Sequence, residues 1–309
     1  MKKKLPVVLA PYIKTRNSYE KLKICSSCNH FTVLGDVRCP ICGKQTLRHV
    51  ERRAQSLLNR SFLISRAAVL VIAAAGIAFS DSSLHTALMV VAGTALLALL
   101  WTLQRRWTPA LLHSKLEKIF KTEAHRLVAG LTHDRDMAIE VFQSGDRLRT
   151  YEMLREIGAL VQTDQLRLEQ ILLLQSFVLR KDMDLMLEPL LMNEFNTDLA
   201  EYMGELAKIR RDLLKENAFR YATLHESRIL RMEHGESIMI GIAGAAIRLK
   251  RYITLYPYLI MRYADKLPKE RFLRLYRMIK QSQGTGFGPL HEEVMRVKEE
   301  KYKWDEDFR

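Results

Sequence analysis

The sequence predicts a mainly α-helical protein. It should carry a small cysteine-clipped module at the N-terminus, a helical hairpin through a membrane, and an all-helical C-terminal region that forms a bundle or an α-solenoid. Three observations lead there. All four cysteines fall between residues 25 and 42, as two CxxC pairs. Two apolar runs of about twenty residues follow, each the length an α-helix needs to cross a bilayer core. Beyond Trp107, apolar residues recur at helical spacing and few segments read as strands.

Residues 1–20 form a basic tail. It begins MKKKLPVVLAPYIK, which mimics a secretory signal for a few residues. Its apolar run, residues 5–10, is shorter than a usual signal core and contains Pro6. The N-terminus is therefore expected to stay in the cytosol. The cysteines agree with this: clustered in one stretch, they suit metal binding in a reducing compartment better than a disulfide scaffold.

Residues 21–48 are the cysteine module. Cys25, Cys28, Cys39 and Cys42 form C-x2-C…C-x2-C with ten residues between the pairs, and four thiolates suit a closed tetrahedral zinc site. Ser26, Ser27 and Pro40 let the chain turn back within each pair, and Gly43 follows the second. Between the pairs, HFTVLGDVR reads as a hairpin: a strand from Phe31 to Leu34, a Gly35-Asp36 turn, and a return through Val37 and Arg38. The stretch resembles the zinc-ribbon class, including a CPxCG second knuckle as CPICG. That resemblance implies a structural Zn2+ on the four cysteines and leaves open nucleic-acid binding, protein binding or a simple folded cap. His30 and His49 read as ordinary surface histidines, since four thiolates complete the shell. A closed shell, with neither HExxH nor an H-x-E partnered to PCxxC, argues against catalytic zinc.

Residues 49–61 read as a linker helix, with Val50, Ala54, Leu57 and Leu58 at helical spacing, continuing into a transmembrane hairpin at 62–104. Arg66 and His85 lie near the ends of the apolar runs, where an arginine can reach the headgroups. Ala73, Gly76 and Ala78 in one run and Ala92, Gly93 and Ala95 in the other allow close helix approach. Trp101 and Trp107 suit the interface. Arg52, Arg53, Arg60 and Arg66 flank one end of the pair, and Arg105, Arg106, Lys115 and Lys118 flank the other; the 80–83 loop has Asp81 and no cation. The positive-inside rule then puts both tails in the cytosol of a multi-pass protein of the cell membrane. The compact organisation suggests a bacterial source. Two helices without polar residues at mid-membrane form an anchor rather than an ion path.

Residues 108–309 read as a cytosolic all-helical domain. The leucine-rich TDQLRLEQILLLQSFVL is its expected buried element. Thr163 and Thr197 are expected N-caps, Gly145 and Gly235 helix ends, and Pro268 a helix start. HGES at 234–237 and GTGFGP at 284–289 read as loops or helix starts, and Asp134, Asp136 and Glu140 as solvated or paired with Arg135. No nucleophile, base and orienter form a defensible catalytic set, so no enzyme is expected.

Net charge is +14, but residues 1–60 supply +10 of it, with thirteen Lys or Arg against three Asp or Glu. Within the otherwise balanced helical region, residues 248–280 stand out. Arg248, Lys250, Arg251, Arg262, Lys266, Lys269, Arg271, Arg274, Arg277 and Lys280 are interleaved with five tyrosines. That composition suits an anionic surface, lipid or nucleic acid. It also suits a core helix with a solvated basic face, because Phe272, Leu275, Tyr276 and Ile279 share one side. The layout points to a membrane-tethered adaptor or regulator that recruits a cytosolic protein partner through the helical domain. A membrane-attached nucleic-acid binder and an enzyme with an inconspicuous site remain open, as does the oligomeric state.

Overall fold

The structure is a computed structural model that describes residues 4–35, 37–79, 83–281 and 287–308. Asp36, most of the 80–83 loop and residues 284–286 lie outside the described residues. Two compact units emerge: Lys14–Glu140, and Met1–Ile13 with Val141–Arg309.

The first unit begins with a small antiparallel sheet of β1 (Lys23–Cys25), β2 (Phe31–Thr32) and β3 (Leu47–His49), in the order β2-β1-β3. Ile24 faces Phe31 on one side and Arg48 on the other. Among the described residues, the return strand expected at Val37 and Arg38 is not formed, while Asp36 of the expected turn lies outside them. Residues 37 and 38 are bends, and β2 pairs backward onto β1. The reason is local: the first CxxC turn already reverses the chain, so the partner of β2 lies before the cysteines. Leu22, Ile24 and Phe31 are buried beneath the sheet.

From β3 the chain passes directly into α1 (Val50–Ala78), which buries Val50, Ala54 and Leu58 and continues unbroken through the apolar run. Its 29 residues span about 44 Å. α2 (Ser83–Thr122) has 40 residues, spans about 60 Å and runs through Pro109. Both helices are long and apolar enough to cross a membrane, and no residue in their apolar 18-residue windows is buried. Ile72 is 71% exposed and Val91 65%. The two helices pack on each other through small residues. A Cβ added at Gly93 would lie 3.1 Å from the Ala73 Cβ, and one at Gly76 would lie 3.2 Å from the Met89 sulfur. Where the apolar runs end, Arg66 Nε donates to Gln104 Oε1 at 2.9 Å, and Gln104 Nε2 donates to the Ser65 hydroxyl at 3.3 Å. α3 (Ala124–Gln143) follows, and Gly145 beyond it adopts φ +94°, the left-handed helix end expected of it.

The second unit is helical: α4 (Arg147–Gly158), α5 (Asp164–Gln175), α6 (Thr197–Ile209), α7 (Glu216–Leu224), α8 (Glu226–Ile229), α9 (Gly235–Ala246), α10 (Lys250–Leu255), α11 (Pro257–Tyr263), α12 (Lys269–Gln281) and α13 (Pro289–Lys301). The leucine-rich α5 is not its most buried element; Leu172 on it is 48% exposed. That place belongs to α9, which packs on α6, α7, α8 and α11. Small residues decide this. A Cβ at Gly204 of α6 would lie 2.8 Å from Ile238, and one at Gly241 would lie 3.1 Å from the Ala207 Cβ, so the two helices pack in near-backbone contact. Thr163 caps α5 as expected, but the cap of α6 is Asn196, whose Oδ1 accepts from Leu199 N at 3.0 Å. Gly235 starts a helix instead of ending one, because its missing Cβ makes room for the Ile229 carbonyl. Pro268 immediately precedes α12, whose Phe272, Leu275, Tyr276 and Ile279 form the expected buried face.

Candidate metal centre

Two turns of nearly identical build present the four thiols. In the first, Asn29 N donates to the Cys25 carbonyl at 2.9 Å, and Cys25 N donates to the His30 carbonyl at 2.9 Å. In the second, Gly43 N donates to the Cys39 carbonyl at 2.9 Å, and Cys39 N donates to the Lys44 carbonyl at 3.0 Å. Each turn closes on a left-handed residue, Asn29 at φ 56° and Gly43 at φ 69°. Asparagine and glycine are the residues that adopt this conformation most readily. The sequence pointed to Gly43; Asn29, in the same place after the first pair, carries the same signal.

The four sulfurs lie within 4.8 Å of one another. Cys25 and Cys42 sulfurs are 3.6 Å apart, and Cys28 and Cys39 sulfurs 3.5 Å. A tetrahedral ion bound at about 2.3 Å sets its sulfur ligands roughly 3.8 Å apart, so the arrangement fits a metal. It does not fit disulfides, whose sulfurs would sit about 2 Å apart. The thiol chemistry agrees. Burial, and then the crowding of Cys25, Cys39 and Cys42, push the Cys28 thiol up to about 12. Burial also opposes ionisation of Cys25, but the Thr46 hydroxyl, with its oxygen 3.1 Å from the sulfur, and nearby backbone N–H groups outweigh it and lower that thiol to about 6. A bound cation would favour the thiolate form of its cysteine ligands. Cys25 and Cys39 are buried; Cys28 is exposed as a residue, yet its sulfur lies among the other three, which is where its desolvation arises.

The module is seated on α3 by a buried contact that the sequence did not disclose. Asp134 is fully buried; its Oδ1 accepts from the Thr32 hydroxyl and its Oδ2 from Val33 N, both at 2.7 Å. The expectation that Asp134 is solvated is thus corrected. Burial raises its carboxyl above the ordinary value, against the pull of those two hydrogen bonds. One turn earlier, Gly130 has no side chain because the Phe31 carbonyl occupies the place of a Cβ. Gly130, Asp134 and Ala138 are the buried residues of α3. Such an i, i+4 stripe of small residues with a carboxylate in its middle is the signal that would have found the contact. Arg53 adds a second tie, donating to Asn29 Oδ1 at 3.3 Å and pairing with Glu123 at 3.3 Å.

The two histidines are not simple surface groups. His30 packs edge-on to His133 at 5.5 Å, and burial lowers its basicity. His49 Nδ1 donates to the Glu20 carbonyl at 2.8 Å. Neither belongs to the thiol cluster.

Several of the basic residues of 248–280 are engaged by groups of the chain itself. Arg251 pairs with Glu216 at 2.6 Å, and Lys269 with Asp305 at 2.6 Å and Asp307 at 2.8 Å. Arg262 pairs with the buried Glu226, which also accepts from the Tyr263 hydroxyl at 2.6 Å, and Lys266 pairs with Glu236. Arg274 donates to the Arg248 carbonyl at 2.8 Å. Arg271 lies against Gly244, and Lys280 over the Tyr276 ring at 5.6 Å. Lys250 and Arg277 are exposed. Comparison with protein-family models, with curated proteins and with solved structures finds no match to this chain.

Proposed function

We propose that the protein is a membrane-tethered adaptor whose zinc ribbon is structural and whose helical domain recruits a cytosolic partner. The observation that carries the tether is the apolar 18-residue window in each of α1 and α2, in which no residue is buried among the described residues. Exposed surface of that kind requires another apolar solvent, and lipid is the one that matches two helices of this length. The cationic flanks at both ends of the pair support a topology with both tails on the cytosolic side of a cell membrane, in a bacterium on the reading that compact organisation favours.

Zinc is the ion that four thiolates at tetrahedral spacing favour, and full cysteine ligation leaves no open coordination position for substrate. The seat on α3 gives the ribbon a supporting role: it orders the segment that leads out of the membrane helices. Ion pairing in the basic tyrosine-rich segment weighs against nucleic acid, because Arg251, Arg262, Lys266 and Lys269 are already partly neutralised. Crosslinking in native membranes, followed by identification of adducts on the helical domain, tests the reading. A reproducible cytosolic protein adduct supports it. A chain crosslinked only to lipid or to nucleic acid contradicts it.

A further inference from the structure

Residues 4–13 lie along the helical unit as an extended strap rather than as a free basic tail. Leu5 N donates to the Ser176 carbonyl and Val178 N to the Leu5 carbonyl, both at 2.9 Å, forming a parallel bridge with Phe177. Further on, Ala10 N donates to Glu152 Oε1 at 3.0 Å and Tyr12 N to Asp184 Oδ2 at 2.7 Å. Lys4 pairs with Glu205, and Leu9 is buried. The helical unit thus offers one strand-like backbone edge, three carboxylates and an apolar seat. This is how a protein grips an extended peptide, with main-chain bonds for affinity and alternate side chains for selection.

The seat beneath Tyr12 is chemically unfinished. Arg155 of α4 is 4% exposed and stacks between the Tyr12 ring at 5.3 Å and the Tyr151 ring at 5.8 Å. Its Nε and Nη1, and the buried Tyr151 hydroxyl, have no hydrogen-bond partner among the described residues. A buried donor left unmade is costly, so the strap fills this position without satisfying it.

We infer that the groove formed by α4, the 176–178 edge and Asp184 is a docking site for an extended segment of a partner protein, and that residues 4–13 are its resident competitor. The partner segment has the strap's chemistry: a Lys-Leu pair, a second Leu four residues after the first, and an aromatic three residues beyond that. Glu205 selects the basic end, Glu152 and Asp184 hold backbone N–H groups further along, and the Arg155 seat selects the aromatic. This deepens the adaptor reading and rests on it for the identity of the occupant as a partner.

The test uses the full chain in detergent and a fluorescent peptide, KLPVVLAPYIK, that copies residues 4–14. The attached strap competes at an effective concentration on the order of millimolar, so the wild-type chain should bind the peptide weakly. Leu9→Asp in the chain should release the strap and tighten peptide binding at least tenfold. A peptide with alanine in place of the tyrosine should bind that variant at least fivefold more weakly. A second measurement needs no variant: millimolar peptide should accelerate hydrogen exchange of the Ala10 and Tyr12 amides in the wild-type chain. Equal peptide affinity for chain and variant, or unchanged exchange at those amides, overturns the groove. If Leu9→Asp chains instead pair with wild-type chains, the occupant is a second copy, and the partner assignment falls. A partner crosslinked away from the groove, with no peptide binding, sinks this inference and leaves the adaptor reading standing.

Discussion

The two compact units solve the same problem with different means. The cysteine module has strands of two or three residues and few buried apolar side chains of its own, chiefly Leu22, Ile24, Phe31 and Val33. A core that small offsets little of the entropy of ordering the chain, and its four cysteines are positioned to hold a metal ion that would add to it. The helical unit has α9 at its centre, with nine buried residues out of twelve, and an aromatic cluster of Phe272, Tyr302 and Phe308 elsewhere in the unit. There, apolar burial suffices. On the proposed reading, one part of the chain responds to metal and the other does not.

The sharpest way to break that comparison is to remove the metal. Chelation, or Cys39→Ser, should abolish hydrogen-exchange protection in β1, β2 and β3, because structural zinc supplies roughly 10 kcal/mol or more in small modules. Amides of α9 should stay protected. Loss of protection in both units together would refute the division. Next in size is Gly130→Ala, which places a methyl where the Phe31 carbonyl sits. It should lower the stability of the first unit by about 3 kcal/mol and leave the second unchanged, measured by denaturant-dependent exchange. Asp134→Ala leaves Val33 N and the Thr32 hydroxyl without their acceptor and should cost about 2 kcal/mol in the same unit. Smallest is Gly43→Ala, about 1 kcal/mol, because nothing crowds the position and only its φ of 69° opposes a side chain. A larger loss there would mean that the second turn is tighter than its surroundings indicate.

The sequence was legible where a single residue type reports a single constraint. Paired cysteines marked the thiol cluster, and the run from Val50 onward marked a helix continuing into the apolar segment. The face formed by Phe272, Leu275, Tyr276 and Ile279 was legible from period alone. Contacts governed by absent side chains were not. Leucine content favoured α5 as the centre, yet Gly204, Gly241 and Ala207 let α6 and α9 approach most closely, and hydrophobicity does not register that. Asp134 looked like one charge among many because sequence spacing cannot show a strand 100 residues away arriving on top of it. The ionic partners of Arg251 and Lys269 lie 35 or more residues distant, which is why the basic segment read as freer than it is.

The account depends most on lipid being the solvent around α1 and α2. The direct measurement is protease accessibility of epitope tags at the two ends of the chain in sealed membrane vesicles of known orientation. The account predicts that both tags are cut when the cytosolic face is outward and both are protected when it is inward, with the chain remaining in the membrane after alkaline carbonate washing. Tags cut from opposite faces, or a chain released by carbonate as a monodisperse protein without detergent, would contradict it.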